Sequence, residues 1–182
     1  YQGLSCAPLE CKGILDPTEA GVLCNEAEIE SGRFGDEYVL RGSPTEGALV
    51  RLAIQSGIDL LDLRGRYPLI KVNYRSENRL FMGTLHERPD QDGRTLLVAV
   101  KGNPLEVLAM CDCHIEEGVK IPLTDDDLMR IEQENDRMAA DALRVLGIAV
   151  AVLDSEDDFG IGAGLGWRGL VGHAGPVRPG GV

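Results

Sequence analysis

The chain has 182 residues, of which 43% are hydrophobic and 26% are charged, and its formal net charge is −12. This length and composition indicate one globular domain with a substantial hydrophobic core, and they exclude a chain that is disordered throughout. The negative charge argues against a nucleic-acid partner, because nucleic-acid binding depends on neutralising phosphates. No apolar run reaches the roughly eighteen residues that a membrane-spanning helix needs, so we expect this chain itself to make no contact with a membrane.

The first part of the chain carries signals for a helix and a loop. Asp16 and Pro17 begin a helix that we expect to reach Cys24, since aspartate caps helix N-termini and proline suits the first helical position. Residues 31–38 are rich in glycine and polar residues and predict a loop.

A second helix is predicted from Ser43 to Gly57. Ser43 is the expected N-cap, Glu46 occupies the capping-box position, and Gly57 ends the helix. The apolar face of this helix consists of Ala48, Leu49, Leu52 and Ala53.

Residues 66–74, 79–87 and 94–101 predict three strands, and short polar turns join them. Because no long crossover separates these strands, we expect an antiparallel meander. The third strand is a nearly continuous apolar run that ends at Lys101, before Gly102. A lysine beside a residue without Cβ can present its charge to a ligand that approaches the backbone closely. The alternative is a strand-end lysine that reaches solvent.

The second half of the chain predicts two helices and two strands. A short helix begins at Pro104 and reaches Cys111. A long helix is expected over residues 124–146, with Thr124 and Asp127 as the capping pair. Its buried stripe comprises Leu128, Ile131, Met138, Ala142 and Val145. Residues 147–153 and 168–173 predict strands, so the fold class is α+β: an antiparallel, twisted β-sheet flanked by helices.

A glycine-rich stretch follows at residues 160–166. A dinucleotide-binding loop needs a strand directly before it and a helix directly after it. Here an acidic segment precedes the glycines and a strand-like segment follows, so we expect a flexible connection.

Five cysteines are present, and an odd number in a chain with an adequate core is typical of a reducing compartment. A metal site remains an alternative, because thiolates and imidazoles bind zinc. Its ligands would be Cys6, Cys11, Cys111, Cys113 and His114. The spacings Cys-x4-Cys and Cys-x-Cys are unusual for ligand pairs, so we expect structural thiols.

Five short segments occur in an order that is informative as a set. They are Gly42-Ser-Pro-Thr-Glu-Gly-Ala-Leu49, Tyr74-Arg-Ser-Glu-Asn-Arg-Leu-Phe81, Lys101-Gly-Asn-Pro104, Ala142-Leu-Arg-Val-Leu-Gly-Ile-Ala149, and Gly169-Leu-Val-Gly172 with Pro176-Val-Arg178. They resemble, in the same order, the P-type ATPase segments Gly-Asp-Pro-Thr-Glu-x-Ala-Leu, Phe-x-Ser-x-x-Lys-x-Met, Lys-Gly-Ala-Pro, Gly-Leu-Arg-Val-Leu-Ala-Val-Ala and Gly-Leu-Val-Gly-x-x-Asp-Pro-x-Arg. The resemblance covers most of the chain. It is to the nucleotide-binding domain of a cation-transporting P-type ATPase.

The resemblance implies that domain's fold and a site for ATP with Mg²⁺. Tyr74 would stack on adenine, Glu46 would meet its amino group, and Lys101 would line the pocket entrance. Arg144 would be a cation on the phosphate side, and Arg79 replaces the family's lysine after the hairpin. The implied nucleotide-binding residues are Thr45, Glu46, Tyr74, Ser76, Arg79, Phe81, Lys101, Gly102 and Arg144.

The resemblance also implies a larger parent protein. Residues 1–168 would form the nucleotide-binding domain, and residues 169–182 a return segment towards a phosphorylation domain outside this chain. That domain and an actuator domain of the same protein would be its partners, and the chain would be a cytoplasmic domain of an integral membrane protein. No phosphorylation motif is present, so no residue here is expected to be catalytic and the chain alone should not turn over ATP. The absence of a His-Pro pair disfavours the heavy-metal branch.

Several positions depart from the family's pattern. Ser43 and Gly175 replace aspartates, and Leu105 replaces a glutamate. Together with Tyr74 and Arg79, these substitutions leave a second hypothesis open. In that hypothesis the chain is a regulatory or interaction domain with the same fold that has lost nucleotide binding.

Overall fold

A computed structural model describes residues 15–31, 38–89, 95–116, 119–159 and 164–174 of the chain. The helices in these ranges are α1 (Pro17–Leu23), α2 (Pro44–Gln55), α3 (Leu60–Arg66), α4 (Pro104–Leu108) and α5 (Asp125–Ala140). The strands are β1 (Glu28–Ser31), β2 (Tyr38–Arg41), β3 (Leu69–Asn73), β4 (Phe81–Arg88), β5 (Thr95–Gly102), β6 (Cys111–Glu116), β7 (Val119–Pro122), β8 (Leu143–Leu153) and β9 (Leu165–Ala174). Among the helices in these ranges, none combines the length and apolar character that a bilayer crossing requires.

Seven strands form one sheet in the order β3-β4-β5-β8-β9-β6-β7. Neighbouring strands are antiparallel except β6 and β9, which run parallel. Strands β1 and β2 form a separate antiparallel pair. The α+β prediction is confirmed, and the sheet is mixed rather than purely antiparallel because β6 follows the short helix α4 and enters beside β9.

Strand β5 is buried on both faces, which explains its nearly continuous apolar sequence. Leu97 and Ala99 face one side of the sheet, where α1, α2 and α3 cover them. Leu96, Val98 and Val100 face the other side, where α4, α5 and Trp167 complete a second core. Because side chains alternate along a strand, Lys101 belongs to the same face as Leu97 and Ala99.

The predicted N-termini of α1 and α2 are confirmed. Asp16 Oδ1 accepts hydrogen bonds from the backbone N–H groups of Thr18, at 2.7 Å, and Glu19, at 2.8 Å. Ser43 Oγ accepts from the backbone N–H of Glu46 at 3.3 Å. These side chains satisfy backbone donors that have no partner within the helix.

The predicted meander is also confirmed, and its register matters for the site. In the β4–β5 pair, Met82 lies opposite Lys101 and Phe81 lies opposite Gly102. In the β3–β4 pair, Asn73 lies opposite Gly83. The ends of these strands therefore meet at one end of the sheet.

The predicted long helix over residues 124–146 is wrong in its last part. Helix α5 ends at Ala140, Ala142 has a left-handed backbone with φ of 57°, and β8 begins at Leu143. Gly147 to Val150 are all buried, and β8 lies between β5 and β9, so this segment is a central strand that is covered on both faces. Arg144 therefore lies in a strand and not in a helix.

Other elements were not predicted from the sequence. Helix α3 and the strand pairs β1–β2 and β6–β7 are short, so each carries little periodic pattern. Helix α4 ends at Leu108 rather than reaching Cys111, which begins β6.

Three predictions concern segments that are only partly described. Of the loop predicted over residues 31–38, Ser31 ends β1, Tyr38 begins β2, and residues 32–37 lie outside the described ranges. Residues 160–163 lie outside the described ranges, so the connection expected there stays a prediction. Residues 169–174 belong to β9 in the central sheet, while residues 175–182, with Gly175 and Arg178, lie outside the described residues.

Candidate functional site

The most informative contact is an ion pair between Lys101 and Glu46. Lys101 Nζ lies 2.6 Å from Glu46 Oε2, and the two side chains are only 5% and 14% exposed. Strand alternation turns Lys101 under the first turn of α2, where Glu46 follows the Ser43 cap. The alternative in which Lys101 simply reaches solvent is therefore wrong.

Glu46 has a different local partner from the one that the capping box predicts. Its Oε2 accepts a hydrogen bond from the backbone N–H of Glu26 at 3.2 Å, in addition to the contact with Lys101. The carboxylate thus points across to the turn after α1 instead of back towards the Ser43 backbone. The cap of α2 is provided by the Ser43 hydroxyl alone.

The turn formed by residues 24–27, which we call the α1 turn, is tied to α2 and α3. Asn25 Nδ2 donates to the Glu46 carbonyl at 3.1 Å, and Asn25 Oδ1 accepts from Ala27 N at 2.7 Å. The two terminal nitrogens of Arg64, in α3, both donate to the Ala27 carbonyl at 3.1 Å. Sequence reasoning missed these residues. The signal for Asn25 was available, because asparagine commonly bonds to the backbone two residues ahead in a turn.

Further polar side chains lie on the same face of the sheet. Cys24 Sγ donates to the Met82 carbonyl at 3.4 Å, and burial raises the pKa of the Cys24 thiol to about 11. His86 Nδ1 lies 3.0 Å from the Tyr67 carbonyl, and its Nε2 lies 2.8 Å from Thr84 Oγ1. Burial lowers the pKa of His86, so the imidazole is held in its neutral form.

The connection between β3 and β4 is closed by Arg79. Ser76 and Arg79 exchange backbone hydrogen bonds of 3.1 Å, and Arg79 Nη2 donates to the Tyr74 carbonyl at 2.6 Å. The Arg79 guanidinium carbon lies 5.6 Å from the centre of the Phe81 ring, within cation–π distance. These contacts join Tyr74, Ser76, Arg79 and Phe81 into one unit, which we call the site hairpin.

Tyr74 is 56% exposed at the end of β3. This exposure rules out a buried core position at the sheet edge. Tyr74 directly follows Asn73, the last residue of β3, which lies opposite Gly83 in β4. Tyr74 therefore lies at the end of the sheet where β4 begins and β5 ends with Lys101 and Gly102.

Gly102 is required by the neighbouring strand. A Cβ at this position would lie 2.4 Å from Phe81 Cα and 2.5 Å from the Leu80 carbonyl oxygen. The backbone that approaches Gly102 closely is therefore that of β4. Next to it, Leu80 N donates to Glu106 Oε2 at 2.8 Å, and Asn103 N donates to the Leu80 carbonyl at 2.9 Å.

The remaining site candidates lie on two different elements. Thr45 is half-buried in the first turn of α2, beside Glu46. Arg144 is exposed in β8, where it lies opposite His173. Three residues further along β8, Gly147 pairs with Gly102 of β5. The structure thus joins Glu46 to Lys101 and joins the site hairpin to Gly102. Arg144 lies at the same end of the sheet without a described contact to either group.

The cysteines of β6 behave as buried thiols. Cys111 Sγ donates to the Val107 carbonyl at 3.2 Å, and burial raises the pKa of this thiol to about 12. Burial also raises the pKa of Cys113. Within the described ranges no three potential metal ligands among histidine, cysteine, aspartate and glutamate come together, and Cys6 and Cys11 lie outside those ranges.

Comparison with known proteins identifies the family. Residues 15–180 match the model described as P-type ATPase, cytoplasmic domain N. The chain is 33% identical over 165 residues to the Cation-transporting ATPase pma1 of Synechocystis sp., which covers 87% of this chain and 17% of that protein. It is 32% identical over 166 residues to the Calcium-transporting ATPase type 2C member 1 of Mus musculus, with 89% and 16% covered. It is also 32% identical over 157 residues to the Calcium-transporting ATPase 2, plasma membrane-type, of Arabidopsis thaliana, with 84% and 15% covered.

The family match covers every described residue, and the chain spans 15% to 17% of the length of these relatives. The relatives are cation- and calcium-transporting ATPases by name. The chain belongs to the P-type ATPase cytoplasmic domain N family.

Proposed function

We propose that this domain binds ATP, as its complex with Mg²⁺, within a cation-transporting P-type ATPase. The observation that carries the proposal is the buried Lys101–Glu46 pair at the end of the sheet where the exposed aromatic residue Tyr74 also lies. An ATP site without a phosphate-binding glycine loop needs an aromatic face, a polar group for the base and nearby cations. Membership of the family gives this arrangement its functional interpretation.

The residues present fit the adenine base. The half-exposed ring of Tyr74 offers a free π-face, and base–aromatic stacking contributes about 1–3 kcal/mol. Glu46 Oε2 is engaged by Lys101 and by the Glu26 N–H, while no described residue donates to Oε1. That oxygen can accept a hydrogen bond from the exocyclic amine of adenine. Glu46 is therefore the residue that would distinguish an amino group from a carbonyl on the base.

The phosphates would meet the cationic side chains at the same end of the sheet. Arg79 is anchored through Tyr74 and Phe81, and its Nε is buried without a hydrogen-bond partner among the described residues. Arg144 is exposed in β8. Guanidinium groups suit phosphate oxygens because they donate in a planar fork. Mg²⁺ is held largely by nucleotide phosphates in such sites, and Thr45 and Ser76 complete the proposed set.

The proposed role is to hold and deliver the nucleotide. Phosphoryl transfer depends mainly on positioning and charge neutralisation. In this proposal the accepting aspartate and most contacts to the phosphates and Mg²⁺ belong to the phosphorylation domain of the parent protein. The isolated domain should then bind ATP only weakly, on the order of millimolar.

A titration with MgATP, followed by backbone amide NMR, tests the proposal. We expect localised shift changes at residues 74–81 and 100–103. Tyr74→Phe should retain binding because stacking needs only the ring, whereas Tyr74→Ala should lose about 1–3 kcal/mol. Equal losses in both variants would show that the hydroxyl matters and that Tyr74 does not act by stacking. The absence of any shift at several millimolar ATP would favour a regulatory or interaction domain that does not bind nucleotide.

A further inference from the structure

One oxygen of Glu46, the proposed adenine-reading residue, receives two donors, one from the α1 turn and one from β5. The backbone N–H of Glu26 donates to Glu46 Oε2 at 3.2 Å, and Lys101 Nζ donates to the same oxygen at 2.6 Å. A carboxylate oxygen that receives two donors is fixed in rotation about its terminal bond. The position of Glu26 N–H therefore helps to determine where the second oxygen, Oε1, points.

Asn25 fixes that N–H by linking the turn to α2. Its amide nitrogen donates to the backbone carbonyl of Glu46 at 3.1 Å, and its amide oxygen accepts from Ala27 N at 2.7 Å. Glu26 lies between Asn25 and Ala27, so the Asn25 side chain restrains the backbone on both sides of the Glu26 N–H. The same side chain also ties the turn to the backbone of Glu46, the residue whose carboxylate accepts from Glu26.

Arg64, in α3, also holds the turn. Both terminal nitrogens of its guanidinium donate to the Ala27 carbonyl at 3.1 Å. Burial lowers the pKa of Arg64, while the charge of Glu46 acts in the opposite direction. Arg64 is thus close enough to Glu46 to feel its charge, although its hydrogen bonds go to the turn.

We propose that Asn25 and Arg64 are positioning residues of the nucleotide site, which hold the Glu26 N–H against Glu46 and so aim Glu46 Oε1 at the base. This inference rests on the proposed function. It adds that recognition of the adenine amine depends on side chains that do not touch the nucleotide. A preorganised acceptor favours binding because less side-chain freedom is lost when the ligand arrives.

The test compares ATP with ITP, whose base carries a carbonyl where adenine carries the amine. We expect the wild-type chain to prefer ATP by about fivefold to tenfold, the effect of one hydrogen bond. Asn25→Ala should reduce this preference to about twofold, mainly by weakening ATP. Arg64→Lys keeps the charge but loses the two-donor contact with the Ala27 carbonyl, and it should reduce the preference in the same direction. Dissociation constants from NMR titrations provide the readout.

Thr124→Ala is the matched control, because it removes the N-cap of α5 on the other face of the sheet. It should lower stability and leave the ATP preference unchanged. A second readout needs no nucleotide: in Arg64→Lys, a substitution distant in sequence from Glu26, the amide proton of Glu26 should shift as its hydrogen bond to Glu46 weakens.

The possible failures have different signatures. If Asn25→Ala weakens ATP and ITP equally, or if Arg64→Lys leaves the Glu26 amide unshifted, the positioning role is overturned while ATP binding stands. If the folded wild-type chain binds neither nucleotide, the proposed function fails and this inference fails with it.

Discussion

At the scale of single residues, Lys101 and Gly102 are adjacent in sequence but are constrained by different contacts. Lys101 faces α2 and pairs with Glu46, while Gly102 faces the backbone of β4 at Phe81. The same short motif therefore combines a charge that fits a ligand site with a glycine that the sheet requires.

Gly102→Ala should destabilise the domain. The added Cβ would meet backbone atoms of β4 at 2.4 Å, which cannot move aside as a flexible side chain could. We expect the free energy of unfolding to fall by about 1–3 kcal/mol, the range for overpacking an interior. Urea denaturation measures this change. The control is Gly65→Ala in α3, where a Cβ meets nothing within 4 Å and should stabilise the helix by about 0.5–1 kcal/mol. A neutral Gly102→Ala would contradict the reading that β4 requires this glycine.

The Lys101–Glu46 pair should show strong coupling in stability measurements without nucleotide. Lys101→Met leaves a largely buried carboxylate without its cation. We expect the free energy of unfolding to fall by about 3 kcal/mol, the low end for a broken buried pair. Glu46→Gln alone should lower it less, because the glutamine amide oxygen can still accept a hydrogen bond from the Glu26 N–H. The double variant should cost less than the sum of the two by about 0.5–3 kcal/mol. Strict additivity in urea denaturation would mean that the pair contributes no interaction energy.

At the scale of elements, the boundary between α5 and β8 depends on one unusual residue. Ala142 adopts φ of 57°, a left-handed conformation that costs most L-residues about 1–2 kcal/mol. Glycine is the usual residue at such a helix end. Its absence is the reason that the sequence predicts a helix running on to residue 146.

Ala142→Gly should therefore stabilise the domain by about 0.5–1 kcal/mol, because the relieved strain exceeds the extra freedom of glycine in the unfolded chain. A thermal melt would show a higher Tm. Ala139→Gly, at an exposed position of α5 three residues earlier, should have the opposite effect and lower the stability by about 1 kcal/mol. If both substitutions destabilise equally, the backbone at Ala142 is helical in solution.

Elements with strong local signals were predictable, and those without them were not. Three helices are indicated by their N-cap residues, Asp16, Ser43 and Thr124. The apolar run that ends at Lys101 indicates the central strand. The α1 turn was only partly predictable: the backbone contact of Asn25 has a local signal, but the contact with Arg64 has none. The reason is that the contact between Arg64 and Ala27 joins residues distant in sequence, and no local pattern specifies it. The Lys101–Glu46 contact likewise depends on the packing of α2 on the sheet.

At the scale of the whole molecule, stability should depend on pH through His86. Burial lowers its pKa below the value of about 6.5 expected in the unfolded chain. The folded state therefore binds this proton more weakly than the unfolded state. The contribution of His86 to stability is complete above about pH 6.5 and is lost as the pH falls below it, by at most about 1.4 kcal/mol per pH unit.

His86→Gln removes the titration and keeps a polar side chain near Tyr67 and Thr84. We expect the wild type to lose more stability than this variant when urea denaturation is compared at pH 8 and pH 5.5. The comparison cancels the groups common to both proteins, including Glu19, whose pKa burial raises. Parallel pH profiles would show that His86 does not control acid stability.

The order of strands in the sheet also has a consequence for folding kinetics. Strands β3, β4 and β5 are consecutive, whereas residues 103–142 separate β5 from its other neighbour, β8. Strand β6 can pair with its parallel neighbour only after β9, which lies far along the chain, has joined the sheet. Because pairing between distant segments is slow, we expect the meander with the site hairpin to form early. Arg144, on β8, would join the proposed nucleotide site only when the sheet closes. The site hairpin and Gly102 would therefore be in place before that proposed site was complete.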